Sequence, residues 1–188
     1  MSTVYERLNA RQITLPDVPP PVVDGYIPIF VPFVRTGNLV YLSGRLAKKD
    51  GKPWSGKVGK DINTLEGKQA ARGIAIELIA TLHSALGDLN KIKRIVKLLV
   101  MVNSTPNFTE PHEVANGASE LFLEIFGEHG AHARTAFGGA EIPFWGVCGD
   151  RTHCRGDRPS RCPVPRQKSI RPILVVIQTS QSRSHFPN

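Results

Sequence analysis

Residues 95–102, IVKLLVMV, decide the fold, because this run is apolar on both of its alternations. Ile95, Leu99 and Met101 recur on one side, and Val96, Leu98, Val100 and Val102 on the other. Successive side chains of a strand point to opposite faces, so the run predicts a strand that is buried on both. Working outward toward the amino terminus, Asn63 or Thr64 can cap a helix in which Leu65, Ala71, Ile74, Leu78, Leu82 and Leu86 recur at helical spacing until Gly87 stops it. On the other side, Thr109 as cap and Pro111 near the first helical position open a second helix. Val114, Ala118, Leu121, Phe122 and Ile125 form its apolar stripe, and Gly127 ends it. A further short strand, RTAFGGAEI, begins at Arg134. Farther upstream, IPIFVPFV from Ile27 to Val34, the turn residues Thr36, Gly37 and Asn38, and LVYLS predict a hairpin. Pro28 and Pro32 remove ladder donors, which places its first strand at an edge or makes it irregular. From Gly44 to Asp61 the chain is rich in Gly and Lys without a period, and reads as a loop.

The order is therefore β-β-α-β-α-β, an α/β two-layer sandwich with two helices packed on one face of a mixed sheet. The opposite face has no cover. Because the central strand is apolar there too, leaving it in water would expose a large patch, and burial against further copies of the chain is the expected solution. The body contains no internal repeat and no low-complexity segment.

A chain of 188 residues, 40% hydrophobic and 21% charged, suits one compact domain and excludes both a disordered chain and a disulfide scaffold. No apolar run approaches the roughly 20 residues of a spanning helix, and MSTVYERLNARQ lacks the apolar core of a secretory signal, so the expectation is a cytoplasmic protein with no membrane partner. The net charge of +8 invites a nucleic-acid reading, but the charge is unevenly placed. Residues 1–144 carry 16 Lys and Arg against 14 Asp and Glu, whereas residues 145–188 carry 8 against 2. That division separates a domain, 1–144, from a basic tail rich in Cys, Arg and Pro, 145–188, that is not expected to be an independent domain. A body of net +2 argues against a nucleic-acid partner.

Several motifs dissolve on inspection. Gly51–Val58, GKPWSGKV, approaches a phosphate-cradling loop, but Val58 stands where a magnesium-binding hydroxyl is required. His129 and His132 are three apart with no third ligand in view, and read as a pair of loop histidines. Cys148, His153, Cys154 and Cys162 lack zinc-site spacing. Ser43 has no nucleophile elbow around it. Lys91, Lys93, Arg94 and Lys97 read as a solvated edge, and Asn103 and Asn107 sit in N-x-[ST] triplets without meaning in a chain lacking a secretory signal. Arg134 carries more weight. A guanidinium at a strand end between the small residues Ala133 and Ala136 can grip a carboxylate through two parallel hydrogen bonds, or serve in a structural ion pair.

Four segments carry a family resemblance: VYLSGRLA from Val40, GKQAARGIAIELIATLHSALGDL from Gly67, KLLVMVNSTPNF from Lys97, and VANGASELFLEIFGEHGAHARTAFGGAEIP from Val114. In their order and spacing the chain resembles the YjgF/RidA family of reactive-intermediate (enamine/imine) deaminases over most of residues 26–143. The resemblance implies a chorismate-mutase-like fold assembled as a homotrimer, with sites in the clefts between subunits. It further implies hydrolysis of 2-imino acids to 2-keto acids and ammonia without cofactor or metal. By position, Arg134 would bind the substrate carboxylate as the catalytic residue, and Tyr26, Ser43, Gly44 and Asn116 would line the cleft. The alternatives are a non-catalytic trimer that holds small carboxylates and, with less support, an RNA endonuclease.

Two departures from the family pattern stand out. Arg45 occupies the position after Ser-Gly where the family has Gln, which would add a cation near the cleft. After Pro143, the expected last strand of V-E-I-E-A type, whose glutamate could order the water, is replaced by FWGVCGDRTHCRGDRPSRCPVPRQKS. The switch reads as a shifted frame or an altered terminus rather than an evolved module. PILVVIQT, from Pro172 to Thr179, is the tail segment able to form a strand and fill the vacant edge.

Overall fold

The computed structural model describes residues 3–18, 30–139 and, as backbone, 173–179. Ten elements follow in order: α1 (Val4–Ala10), β1 (Phe33–Thr36), β2 (Leu39–Leu42), β3 (Lys48–Lys49), β4 (Lys52–Pro53), α2 (Thr64–Leu86), β5 (Ile92–Asn103), α3 (Pro111–Phe126), β6 (Ala133–Gly139) and β7 (Ile173–Thr179). The sheet runs β1-β2-β7-β5-β6, with β5 and β6 parallel and every other pair antiparallel. Helices α2 and α3 pack on each other and on the strands, so the α/β two-layer reading stands.

Local chemistry explains the main helix. Asn63 accepts from the Glu66 amide while the Glu66 carboxylate accepts from the Asn63 amide, a reciprocal box that satisfies two otherwise orphaned donors. Gly87, at φ 70°, closes the other end in the left-handed conformation. Between them Ile74, Leu78, Ile79 and Leu82 are buried and meet Leu121, Phe122 and Ile125 of α3 in one core. Helix α3 begins at Pro111 as expected, but its cap residue is Glu110, with no side-chain cap bond, in place of Thr109.

Four further features differ from expectation. The expected phase of the central strand breaks: Ile95 is buried together with Leu98, Val100 and Val102, not grouped with Leu99 and Met101. A register shift against β7 between Ile95 and Lys97 adds one residue and moves everything beyond it to the other face. The tail segment lies not at an edge but between β2 and β5, where its backbone pairs on both sides. A strand inserted between two others satisfies two rows of backbone donors and acceptors, where an edge position satisfies one. The Gly- and Lys-rich loop contains a small hairpin, β3–β4, turned by Asp50 and Gly51, both at positive φ as a tight primed turn requires. Finally, the amino-terminal segment forms a helix, α1, that Thr3 and Glu6 open with a capping box. It docks through Arg7, which donates to the Ile125 carbonyl at 3.2 Å, and through Arg11, which reaches Glu124 at 3.0 Å. The upstream half of the expected first strand, 27–29, falls outside the described residues, and β1 begins after Pro32.

The sheet face away from the helices carries exposed Val34, Tyr41 and Phe137, with Leu39, Leu99 and Met101 half-buried between them. Register makes this a band: Val34 pairs with Tyr41, and Met101 with Phe137. Among the described residues no helix is long and apolar enough to cross a membrane.

Candidate functional site

Arg134 is the second residue of β6, on an edge strand, and alternation turns it to the same side of the sheet as Ala136, toward α3. There its Nη1 donates to Asn116 Oδ1 at 2.7 Å and to Ser119 Oγ at 3.1 Å. Asn116 and Ser119 are three apart on α3 and so share one helix face. Asn116 is itself oriented, since its Nδ2 donates to Glu113 Oε2 at 3.0 Å. The close fit behind this corner depends on Gly117: a Cβ there would overlap the Lys68 carbonyl oxygen, so only glycine lets α3 approach α2 this nearly.

Nη1 has two hydrogens, and Asn116 and Ser119 take both. Nε and Nη2 have no partner among the described residues, and they form the side-on edge of the guanidinium, two parallel N–H groups spaced for a carboxylate. The group is exposed and has no acidic partner among the described residues.

A fourth residue completes the cluster. His132 Nδ1 lies 2.7 Å from the Gly130 carbonyl, which can only accept, so Nδ1 carries the proton and Nε2 of the neutral ring accepts from the Ser119 hydroxyl at 3.0 Å. The ring is half-buried and stands edge-on to Phe122 at 5.9 Å. Burial pushes its pKa below the ordinary histidine value; the bond to Gly130 opposes this and the charge of Arg134 adds to it. The pairing of His132 with His129 as two loop residues therefore misses what His132 does, for His129 is exposed and His132 is tied to Ser119. Ser119 is the other member of the cluster that no sequence motif singles out. The signals were present: Ser119 follows Asn116 at helical spacing, and His132 precedes Arg134 by the two-residue period of a strand.

Ser43 and Gly44 do not join this cluster within the chain. Register runs Tyr41, Val176, Lys97, Ala133 across the sheet, so the end of β2 lies three strand spacings, about 14 Å, from the start of β6. Ser43 is tied to its own strand neighbours: its hydroxyl donates to the Val31 carbonyl at 2.6 Å and its amide to Pro32 at 2.9 Å. Arg45 turns to α2, where Nη2 donates to Thr81 Oγ1 at 3.0 Å. Its Nε is buried with no partner among the described residues, and burial lowers its pKa against the opposing charge of Glu77. Tyr26, Cys148, His153, Cys154 and Cys162 lie outside the described residues. The segment around Lys57 does not lead directly into a helix, since α2 starts only at Thr64, so no phosphate loop forms. Among the described residues no three His, Cys, Asp or Glu side chains gather as a metal site.

Comparison with known proteins gives consistent relatives. Residues 6–151 match a family model described as "YjgF/chorismate_mutase-like, putative endoribonuclease". Protein TCP17 of Trypanosoma cruzi is 44% identical over 143 residues, covering 75% of this chain and 86% of that protein. Among solved structures, the protein Atu1372 of Agrobacterium tumefaciens, described as of unknown function, is 33% identical with a TM-score of 0.71, covering 95% of this chain and 94% of its own. A Shewanella oneidensis protein described as a "putative endoribonuclease" is 27% identical with a TM-score of 0.74, covering 94% of this chain and 99% of its own.

Proposed function

The chain belongs to the YjgF/chorismate-mutase-like family, and from that premise we propose that it hydrolyses 2-imino acids to 2-keto acids and ammonia. The observation that carries the reading is the state of Arg134. One nitrogen is held by Asn116 and Ser119, and the paired Nε and Nη2 edge is left for a substrate carboxylate. The chemistry demands little else. An imine carbon is already electrophilic, so fixing the carboxylate and aiming one water at that carbon supplies acceleration by positioning, aided by polar groups around the reacting atoms.

In this reading the apolar band of Val34, Tyr41 and Phe137 is covered by further copies of the chain in a homotrimer. Ser43 and Gly44 of a neighbouring protomer then face Arg134, which accounts for their distance from it within one protomer. The test couples an amino-acid oxidase or dehydratase to the protein and follows imine decay. Acceleration is expected, and Arg134→Ala should remove it; no acceleration by the full chain overturns the reading.

One observation favours a second reading, a non-catalytic trimer that binds small carboxylates. Strand β7, ILVVIQT, contains no acidic residue to order a water. Calorimetry with 2-keto acids separates the two, because this alternative gives binding without turnover. The relatives described as endoribonucleases suggest RNA cleavage, but a body of net +2 has little attraction for phosphate, and no cleavage is expected.

A further inference from the structure

The cluster contains one group that carboxylate binding does not account for, the half-buried imidazole of His132. It stands one hydroxyl away from Arg134: Nη1 to Ser119 Oγ is 3.1 Å, and Ser119 Oγ to His132 Nε2 is 3.0 Å. We infer that the site is proton-linked, an anion seated on Arg134 drawing a proton onto His132 Nε2 across the Ser119 hydroxyl. The inference deepens the proposed function and rests on Arg134 as the anion-binding group.

Ser119 lets both protonation states exist without moving a heavy atom. With a neutral ring, its hydroxyl donates to Nε2 and its oxygen accepts from Arg134. When Nε2 gains a proton it becomes a donor, the hydroxyl rotates away, and the oxygen accepts from both sides. The bond to Arg134 survives, so what changes is charge. With no anion bound, protonation would set two cations on either side of one hydroxyl in a half-buried corner. This agrees with the downward displacement of the His132 pKa by burial, with Arg134 adding to it.

Among the described residues, the other charged groups around the ring do not take over this role. On α3, Glu120 is engaged by Lys68 at 2.6 Å and Glu113 holds Asn116. On the turn before β6, Glu128 and His129 are exposed, and from the sheet Lys97 bonds Thr135 at 2.7 Å. Among the described residues, Arg134 is the charged side chain joined to the ring, through Ser119. A carboxylate that neutralises Arg134 removes the repulsion and adds an attraction, so the His132 pKa rises on binding. By reciprocity, the anion binds more tightly as pH falls through the His132 range.

The experiment follows the His132 ring by NMR titration in the full-length wild type and in Arg134→Gln, first alone and then with pyruvate. The expected result is a higher His132 pKa in Arg134→Gln than in the wild type, and a rise on adding pyruvate that only the wild type shows. Calorimetry should show proton uptake with pyruvate and about fivefold tighter binding at the acid end. In His132→Gln, whose amide can still accept from Ser119, proton uptake and the pH dependence of pyruvate binding should disappear. An unchanged His132 pKa in Arg134→Gln, or one pH profile shared by wild type and His132→Gln, overturns the linkage. If pyruvate fails to bind the wild type while Arg134→Gln still shifts His132, the carboxylate reading falls and the coupling of the two residues stands.

Discussion

The start of β6 and the end of β2 both hold residues proposed for one site, yet within the chain they are built in opposite ways. At β6, Arg134, Asn116, Ser119 and His132 form a continuous chain of hydrogen bonds between a strand and the helix packed over it. At β2, Ser43 spends its hydroxyl on Val31, and Arg45 turns under the sheet to Thr81. A hydrogen-bonded corner is complete at β6 and absent at β2, so the two ends do not close on each other within the chain. In the proposed homotrimer the second wall comes from another copy.

Spoiling the apolar band should have the strongest consequence. Tyr41→Glu puts a charge at a 40% exposed position on the band and should turn the proposed trimer into folded monomers without activity, read by sedimentation and circular dichroism. Activity retained by the monomer would mean that the β6 corner works alone. Next in size, Gly117→Ala forces a side chain against Lys68 and should cost about 3 kcal/mol in chemical denaturation, damaging the β6 corner and sparing the β2 end. Asn116→Ala removes an acceptor 2.7 Å from a guanidinium, and keto-acid affinity should drop about tenfold. Ser43→Ala, whose hydroxyl is committed elsewhere, should reduce turnover only about threefold, and a larger loss would place it against substrate.

A weaker change is predicted away from the site, at Glu124. Its pKa is held below the ordinary carboxylate value, chiefly by the hydrogen bond from Arg72 and then by Arg11, with burial opposing. A depressed folded pKa gives stability that is complete above the unfolded value and lost as pH falls through the folded one, so the contribution disappears in acid. Glu124→Gln should flatten the acid limb of the stability curve by less than about 1 kcal/mol, because the pair is partly exposed.

Much of this arrangement is legible in the sequence where local chemistry decides it. Asn63, Glu66 and Gly87 bound α2 by capping geometry alone, and Gly127 ends α3 for a similar reason. Arg134 stands out because a charged fork between alanines needs a purpose. What resists reading is set by pairing at long range. The shift that returns Ile95 to the helix side depends on how β7 lies against β5, and the interior place of Ile173–Thr179 depends on a gap between strands distant in sequence. His132 and Ser119 were readable by spacing, but nothing except the packing of α3 on β6 says that the two periods meet. The β3–β4 hairpin is a different case, since Asp50-Gly51 was a turn signal hidden by the polar residues around it.

The interior place of β7 also bears on biosynthesis. On a translating ribosome, β2 and β5 emerge long before the segment that joins them, so each must wait with one row of amides and carbonyls unsatisfied. A nascent chain released before Ile173 would carry two sticky ribbons in place of one sheet, a natural substrate for chaperones and proteases.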